Sequence, residues 1–204
     1  MIFIFDLDHT LMNSGKFKDG LPKIFGLSKG AWRNSVKKHF AKELDLYSPL
    51  KHAEMCYESG EINKKQLFIL EKRLRLLASN ASRYLFPDVE RLLGYLCQEN
   101  NYLILLSHGD KKWQRLKIKE LPIKKYFDKV IITDKSKIKA INFLKRKSDD
   151  IVIVNDNARE NREMINFLRR GRAILIKSIH SQEIKHNHKI YSFKQATKII
   201  MNKF

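Results

Sequence analysis

The 204-residue sequence is poor in cysteine, proline and glycine, with two, four and eight residues of each. Cys56 and Cys97 lie far apart in the sequence. They therefore provide neither a disulfide framework nor a four-thiolate zinc site, and we expect a reducing compartment. The low glycine and proline content excludes collagen-like and linker-dominated architectures. Because 43% of the residues are hydrophobic, the chain is predicted to fold around a substantial core rather than to be disordered.

Long hydrophobic runs are also missing. No apolar stretch approaches the roughly 20 residues that a membrane-spanning helix requires. The apolar segment Met1–Phe5 has no basic leader and is followed directly by Asp6, which is unlike a secretory signal. We therefore expect a cytoplasmic protein that has no membrane partner.

Acidic residues are few relative to basic ones: 22 Asp and Glu against 41 Lys and Arg give a formal net charge of +19 at pH 7. Residues 111–147 alone hold 14 basic and 3 acidic side chains. A field of this sign attracts anions such as phosphorylated metabolites or nucleic acid. Solvated helix faces rich in lysine explain the same composition, so the charge is compatible with an anionic ligand but does not identify one.

Short apolar runs, rich in β-branched residues, predict the strands of a buried parallel sheet. The five runs are Met1–Phe5, Tyr102–Leu106, Val130–Ile132, Ile151–Val154 and Ala173–Ile176. Helical periodicity lies between them, for example at Val89, Leu92, Leu93 and Leu96. This alternation favours an α/β fold, namely a Rossmann-like, doubly wound, five-stranded parallel sheet with helices on both faces.

Residues 13–83 interrupt that alternation. They contain no strand pattern, and their periodicity predicts helices over Ala31–Leu46 and Lys64–Leu77. We interpret 13–83 as a helical cap inserted after the first strand, with 1–12 and 84–204 forming the catalytic core. Trp32, Phe40 and Tyr47 are expected to form a small core within this insertion.

Polar side chains follow several of the predicted strands, at the edge of an open parallel sheet where ligands bind. They are Asp6, Asp8 and Thr10 after the first strand, Ser107 and His108 after the second, Lys135 and Lys137 after the third, and Asp156 after the fourth. Clustered carboxylates repel one another and need a cation, and oxygen ligands of this kind suit Mg²⁺. A carboxylate beside such a metal can attack phosphorus, and a second acid can transfer the proton.

These motifs resemble those of the haloacid dehalogenase-like hydrolase superfamily. Phe5-Asp6-Leu7-Asp8-His9-Thr10 matches its first motif, Leu105-Leu106-Ser107 its second, and Ile153-Val154-Asn155-Asp156 with Glu160 its fourth. The helical insertion is similar to the cap of phosphoglycolate phosphatase-like and β-phosphoglucomutase-like members. The resemblance covers essentially the whole chain. It departs from the common pattern at His9, where glycine is frequent, and at His108 and Asn155.

The resemblance implies a role for each matching residue. Asp6 would be the nucleophile and a metal ligand, and Asp8 the general acid and base, with its backbone carbonyl on the metal. Asp156 would complete the Mg²⁺ site. The phosphate-binding residues implied are Asp6, Thr10, Ser107, His108 and a lysine, for which both Lys135 and Lys137 remain candidates. Glu160 would support the metal if it reaches it.

The resulting hypothesis is a Mg²⁺-dependent phosphatase that hydrolyses a small phosphorylated metabolite or nucleotide through an aspartyl-phosphate. A sugar-phosphate phosphomutase would share every core residue. A nucleic-acid-associated protein that uses the basic segment 111–147 is a further alternative, although a binder of polyanions gains nothing from clustered carboxylates. His180, His186 and His188 could suggest a metal site, but their polar surroundings favour a loop.

Overall fold

The structure, a computed structural model, describes residues 1–40, 46–146, 149–179, 181 and 189–203. Its centre is a sheet in which every neighbouring pair of strands is parallel. The strands are β1 (Ile2–Phe5), β2 (Tyr102–His108), β3 (Lys129–Thr133), β4 (Ile151–Asn155), β5 (Arg172–Ile176) and β6 (Ile190–Tyr191), in the order β3-β2-β1-β4-β5-β6. This order, with β1 at the centre, confirms the predicted doubly wound α/β fold.

The sheet has six strands where the sequence predicts five. The additional strand is β6, which has only two residues and pairs with the end of β5 at the sheet edge. A two-residue strand is too short to produce a recognisable alternation, so its existence depends on the neighbouring strand rather than on its own sequence.

Strand β1 is buried on both faces. Phe3 and Phe5 contribute to the larger of two hydrophobic clusters, and Ile2 and Ile4 to the smaller one on the opposite face. All four side chains are at most 2% exposed. This two-sided burial explains why the strand appears as an unbroken apolar run rather than as an alternation.

Ten α-helices surround the sheet within the described residues. They are α1 (Ser14–Lys18), α2 (Leu21–Ile24), α3 (Lys29–Phe40), α4 (Pro49–Glu58), α5 (Lys64–Ser79), α6 (Val89–Gln98), α7 (Lys111–Lys119), α8 (Lys137–Ala140), α9 (Ala158–Leu168) and α10 (Phe193–Lys203). Short 3₁₀ turns cover Ala81–Tyr84, Pro122–Tyr126 and Asn142–Arg146. None of these helices is long and apolar enough to cross a membrane.

The insertion, residues 13–83, contains α1 to α5 in sequence and no strand within its described part. Local signals set the helix starts: Ser48 caps α4 ahead of Pro49, and Asn63 and Gln66 form a capping box on α5. The helix predicted over 31–46 is observed as α3, which ends at Phe40, and residues 41–45 lie outside the described part of the chain.

The two ends of the insertion run side by side. Met12 bridges Leu85 in antiparallel fashion, the Asn13 amide donates to the Tyr84 carbonyl at 2.7 Å, and the Phe86 amide donates to the Leu11 carbonyl at 2.9 Å. The insertion therefore leaves and re-enters the sheet region at one place, close to the end of β1.

Candidate active site

Asp6 is the first residue after β1 and lies at the centre of the sheet edge. Its backbone amide donates to the Val154 carbonyl at 3.0 Å, which continues the parallel pairing by one residue. The residue is only 7% exposed. Its carboxylate Oδ1 accepts a hydrogen bond from Lys137 Nζ at 2.6 Å. The central strand thus places a buried acid, paired with an ammonium group, at the sheet edge formed by the carboxyl ends of the strands.

Lys137 is the lysine that faces this acid. It is the first residue of α8, is 7% exposed, and donates to Glu160 Oε2 at 2.7 Å as well as to Asp6. Lys135 is exposed, and its backbone amide donates to the Thr133 hydroxyl at 3.0 Å. Asn155 Nδ2 donates a hydrogen bond to the same Glu160 oxygen at 2.9 Å. Of the two lysines left open by the sequence, the structure brings Lys137 to Asp6.

Asp156 follows β4 and lies beside Asp6. Asp156 is only 4% exposed. The Ser178 hydroxyl donates to Asp156 Oδ2 at 2.6 Å, and the Thr10 hydroxyl donates to Oδ1 at 3.4 Å. Thr10 itself is fully buried. Thr10 and Ser178 therefore orient an acid that continues the carboxylate cluster of Asp6 and Glu160.

The acids of this cluster raise one another's pKa. Burial raises the pKa of Asp6 to about 7; the carboxylates of Asp156 and Glu160 add to the rise, and Lys137 opposes it. Burial lowers the pKa of Lys137, but Asp6 and Glu160 outweigh that effect and hold the pKa above its usual value. Clustered carboxylates of this kind favour a cation, and all-oxygen donors fit Mg²⁺.

Asp8 has separate partners. Lys117 Nζ lies 2.8 Å from both of its carboxylate oxygens, Gln114 Nε2 donates to Oδ2 at 2.9 Å, and the Ser14 hydroxyl donates to Oδ1 at 2.5 Å. Burial opposes ionisation of Asp8, but Lys117, together with the hydrogen bonds, holds its pKa well below the usual value. Asp8 is thus an ionised carboxylate in a fixed orientation.

Sequence reasoning missed Lys117 and Gln114. Both lie on α7, within the basic segment 111–147 whose composition solvated helix faces also explain. Lys117 is four residues after the buried Trp113, on the same side of the helix, and this spacing was the available signal. Because Lys117 and Lys137 are buried against acids, part of the positive charge of 111–147 serves the site rather than an exposed surface.

Ser107 and His108 end β2 next to β1. The Ser107 hydroxyl is buried and makes no hydrogen bond to the described residues. His108 lines the cavity, and Gly109 follows it with φ +141°. A Cβ on Gly109 would lie 2.8 Å from Gln114 Nε2. The backbone φ favours glycine here, and a Cβ would displace the end of the Gln114 side chain that reaches Asp8.

A cavity of about 410 Å³ opens above these residues. The acids Asp6, Asp8, Asp156 and Glu160 line it on the core side. Residues 13–83 contribute Phe17, Lys18, Leu21, Tyr47 and Pro49 to the wall. Ser107, Thr10 and Lys135 are not among the lining residues. The volume suits a small molecule enclosed between core and insertion.

A family model described as haloacid dehalogenase-like hydrolase matches residues 3–162. The chain belongs to this family. The match begins inside β1 and continues to α9, so it includes every acid of the cluster. The comparison with curated proteins gives no match.

Solved structures of haloacid dehalogenase-like hydrolases share the fold. One from Burkholderia xenovorans has a TM-score of 0.78 at 16% identity, covering 97% of this chain and 95% of that one. An L-2-haloacid dehalogenase from Xanthobacter autotrophicus, with chloropropionic acid covalently bound, has a TM-score of 0.64 at 12% identity. The match covers 100% of this chain and 99% of that one. A magnesium-bound haloacid dehalogenase-like hydrolase from Bacillus subtilis has a TM-score of 0.59 at 10% identity. The match covers 98% of this chain and 97% of that one.

The structure thus brings Asp6, Asp8, Asp156 and Glu160 to one cavity together with Lys137 and His108. His9 also lines it and adopts φ +61°, a left-handed conformation that glycine adopts without strain. This is the physical reason why glycine suits the position. His180, His186 and His188 lie outside the described residues.

Proposed function

We propose that this haloacid dehalogenase-like hydrolase is a Mg²⁺-dependent phosphatase that hydrolyses a small phosphomonoester through an aspartyl-phosphate. The observation that carries the proposal is the charge of the site. Asp8 is paired with Lys117, whereas the buried Asp6 lies beside the carboxylates of Asp156 and Glu160, with Lys137 bonded to Asp6 and Glu160. Such a site needs a cation before it can accept an anionic substrate.

The metal would be held by the carboxylates of Asp6 and Asp156 and by the backbone carbonyl of Asp8. The family resemblance implies this set, and the surplus of buried carboxylate supports it. When bound, Mg²⁺ would neutralise these acids and the phosphoryl oxygens. Glu160 bonds to Lys137 and Asn155, so its role in this proposal is to position the lysine.

Asp6 is the proposed nucleophile. Lys137 occupies its Oδ1, and no described group donates to Oδ2. A carboxylate oxygen attacks phosphorus, the P–O bond to the leaving group breaks, and an aspartyl-phosphate forms. The Lys137 ammonium balances charge on the transferring group. The family resemblance implies that Ser107 donates to a phosphoryl oxygen, and its hydroxyl makes no hydrogen bond within the described part of the chain.

Asp8 is the proposed proton carrier. Both of its carboxylate oxygens accept hydrogen bonds from the Lys117 ammonium. A proton of Lys117 can therefore pass to Asp8, and Asp8 can pass it to the leaving alkoxide. In the second step Asp8 takes a proton from water, which attacks the aspartyl-phosphate and releases inorganic phosphate. The proton lost in the first step is thereby restored.

Residues 13–83 are proposed to act as a cap over the core formed by 1–12 and 84–204. Phe17, Leu21 and Tyr47 offer apolar and aromatic contacts to the leaving group, and Lys18 offers a cation. Closure of such a cap excludes bulk water during the first step. These wall residues, rather than the acids, would select among phosphorylated metabolites and nucleotides.

The experiment is a panel of phosphorylated metabolites and nucleotides assayed with Mg²⁺ and with EDTA, using wild type and Asp6→Asn. We expect Mg²⁺-dependent release of inorganic phosphate and a loss of at least about 1,000-fold in the variant. Circular dichroism checks that the variant is folded. A folded Asp6→Asn protein with wild-type rates would refute the nucleophile assignment.

Two further reactions are tested in the same series. Transfer of phosphate between hydroxyl groups of a hexose or pentose phosphate, without release to water, would show a phosphomutase. Halide release from 2-chloropropionate in EDTA would show a dehalogenase. Either result, with no phosphate hydrolysis, would replace the proposed activity.

A further inference from the structure

A second cluster of potential metal ligands lies inside the insertion. His39 from α3 and His52 and Cys56 from α4 each present one ligand atom, and these three atoms lie within 4.8 Å of one another. Cys56 Sγ is 3.9 Å from His39 Nε2. Zinc bonds of 2.0–2.3 Å would separate tetrahedral ligands by about 3.3–3.8 Å. The three side chains are therefore close to the spacing that one ion requires.

His52 is already oriented for coordination. It is fully buried, and its Nδ1 lies 3.1 Å from the Tyr47 hydroxyl. If Tyr47 accepts the Nδ1 proton, the lone pair is on Nε2, which faces the Ser35 hydroxyl at 2.9 Å. A histidine ligand normally holds its second nitrogen in such a hydrogen bond. His52 and Cys56 are four residues apart on one helix face.

Glu61 is a candidate for a fourth donor. It follows α4, and its Oε1 lies 3.1 Å from His39 Nε2, but it does not belong to the group of three mutually close ligand atoms, so it would have to turn towards them. Lys38 also contacts this oxygen at 2.6 Å, but the lysine side chain is 64% exposed and can turn towards solvent. The candidate donor set is two imidazoles, one thiolate and one carboxylate, in contrast to the all-oxygen set of the candidate active site.

We propose that His39, His52, Cys56 and Glu61 form a structural Zn²⁺ site in the insertion. Nitrogen and sulfur donors in a tetrahedral arrangement select zinc over Mg²⁺. On binding, the S–H bond of Cys56 breaks, a sulfur–zinc bond forms, and the proton goes to solvent. Cys56 is only 4% exposed and His52 is fully buried, as expected of ligands in a structural rather than a catalytic site.

The proposed ion would join α3 to α4 and to the segment after it. Side-chain hydrogen bonds already connect these elements at the same place, for example Ser35 to His52 and Lys38 to Glu61. Tyr47 both orients His52 and lines the active-site cavity. Metal binding would therefore fix part of the cavity wall.

The test uses Co²⁺ as a spectroscopic substitute for zinc in the full-length protein. We expect one tightly bound ion with the visible bands of a tetrahedral site and a sulfur-to-cobalt charge-transfer band, displaced by an equivalent of Zn²⁺. Cys56→Ser should abolish the charge-transfer band, and His52→Gln should lower Co²⁺ affinity by at least about 100-fold. Cys97→Ser, which removes the other cysteine, is the matched control and should bind as wild type does.

Tyr47→Phe separates positioning from ligation. It removes the hydroxyl at His52 Nδ1 but keeps the aromatic packing, so we expect roughly tenfold weaker Co²⁺ binding with an unchanged spectrum. A wild-type spectrum without a charge-transfer band, or a band that persists in Cys56→Ser and disappears in Cys97→Ser, would overturn the proposed site.

A wild-type measurement is independent of whether the variants fold. Zn²⁺ should slow the alkylation of Cys56 by at least about tenfold relative to EDTA, read by mass spectrometry, while Cys97 reacts at the same rate in both. Equal rates at Cys56 with and without zinc would refute the proposal. Phosphatase activity is not used as the readout, so failure of the proposed function would not affect this result.

Discussion

Lys117 Nζ lies 2.8 Å from both carboxylate oxygens of Asp8, although 109 residues separate the two in sequence. The lysine side chain is 3% exposed and the aspartate side chain 25%. Because a buried ammonium needs a partner, this ion pair attaches α7 to the turn after β1. It also divides the site into a neutralised acid, Asp8, and an acidic cluster around Asp6.

Lys117→Met should destabilise the protein by about 2 kcal/mol, because it leaves Asp8 without its ammonium. The effect falls below that for a fully buried pair because water can reach Asp8. Urea unfolding measures the change. In the double variant Asp8→Asn/Lys117→Met, much of the loss should be recovered.

Lys119→Met is the control for this prediction. Lys119 is on the same helix with its side chain 74% exposed, so its replacement should change the free energy of unfolding by less than about 0.5 kcal/mol. Equal effects at Lys117 and Lys119 would contradict the importance of the buried pair.

Lys137→Gln should lower kcat by about 100-fold or more, because it removes the ammonium 2.6 Å from Asp6. Lys135→Gln is a matched control two residues away, with an exposed side chain, and should retain wild-type kcat. Steady-state kinetics of both variants decide the matter. The assignment fails if Lys135→Gln is the impaired variant.

The apparent affinity for Mg²⁺ should rise with pH up to about 7 and then level off. The pKa of Asp6 is raised to about 7, so below this value the metal must displace a proton, and affinity falls by up to about tenfold per pH unit. Titration calorimetry in two buffers of different ionisation enthalpy measures both the affinity and the proton released.

The Asp6→Asn variant tests the origin of this pH dependence. Without the titrating carboxyl group, Mg²⁺ binding should be weaker and nearly independent of pH in the same range. An unchanged pH profile in the variant would assign the proton to another group.

Gly109→Ala should impair catalysis and stability together. The new Cβ would lie 2.8 Å from Gln114 Nε2 at a backbone φ of +141°, so Gln114 must move and loses its bond to Asp8. We expect a loss of about 1–3 kcal/mol in stability, together with a lower kcat. Thermal unfolding and kinetics provide the two measurements.

Gly30→Ala is the corresponding control. Gly30 lies near the start of α3, and a Cβ added there would point into open space with nothing within 4 Å. Alanine should therefore be neutral or stabilise the helix by up to about 1 kcal/mol. A loss of stability comparable to that of Gly109→Ala would show that the effect is not specific to the contact with Gln114.

The sheet was largely predictable because its signals are local. Each buried strand of four or more residues is an apolar run, and the five predicted runs correspond to β1 to β5. The kind of helix was less predictable. Ile138, Ile141 and Leu144 recur at a helical spacing, but the structure has the short α8 followed by a 3₁₀ turn over Asn142–Arg146, a distinction that the spacing of apolar residues does not make.

The site was predictable only in part. Asp6, Asp8 and Asp156 stand out because acids follow buried strands, and the topology brings the ends of those strands to one edge. The catalytic and metal-binding roles of these residues stay predictions. Lys117, Gln114 and the His39–His52–Cys56 cluster had no comparable signal, since their partners lie on other elements of the chain.

The sequence by itself determined the layered α/β architecture, the helices between the first two strands and the acids at the strand ends, because hydrophobic periodicity and motif spacing are properties of neighbouring residues. Only the tertiary structure decided that Lys137 rather than Lys135 meets Asp6, that Lys117 neutralises Asp8, and that two histidines converge on Cys56. Those relationships depend on how separate helices pack, and the electrostatic interactions they create exist only at the short distances that packing produces.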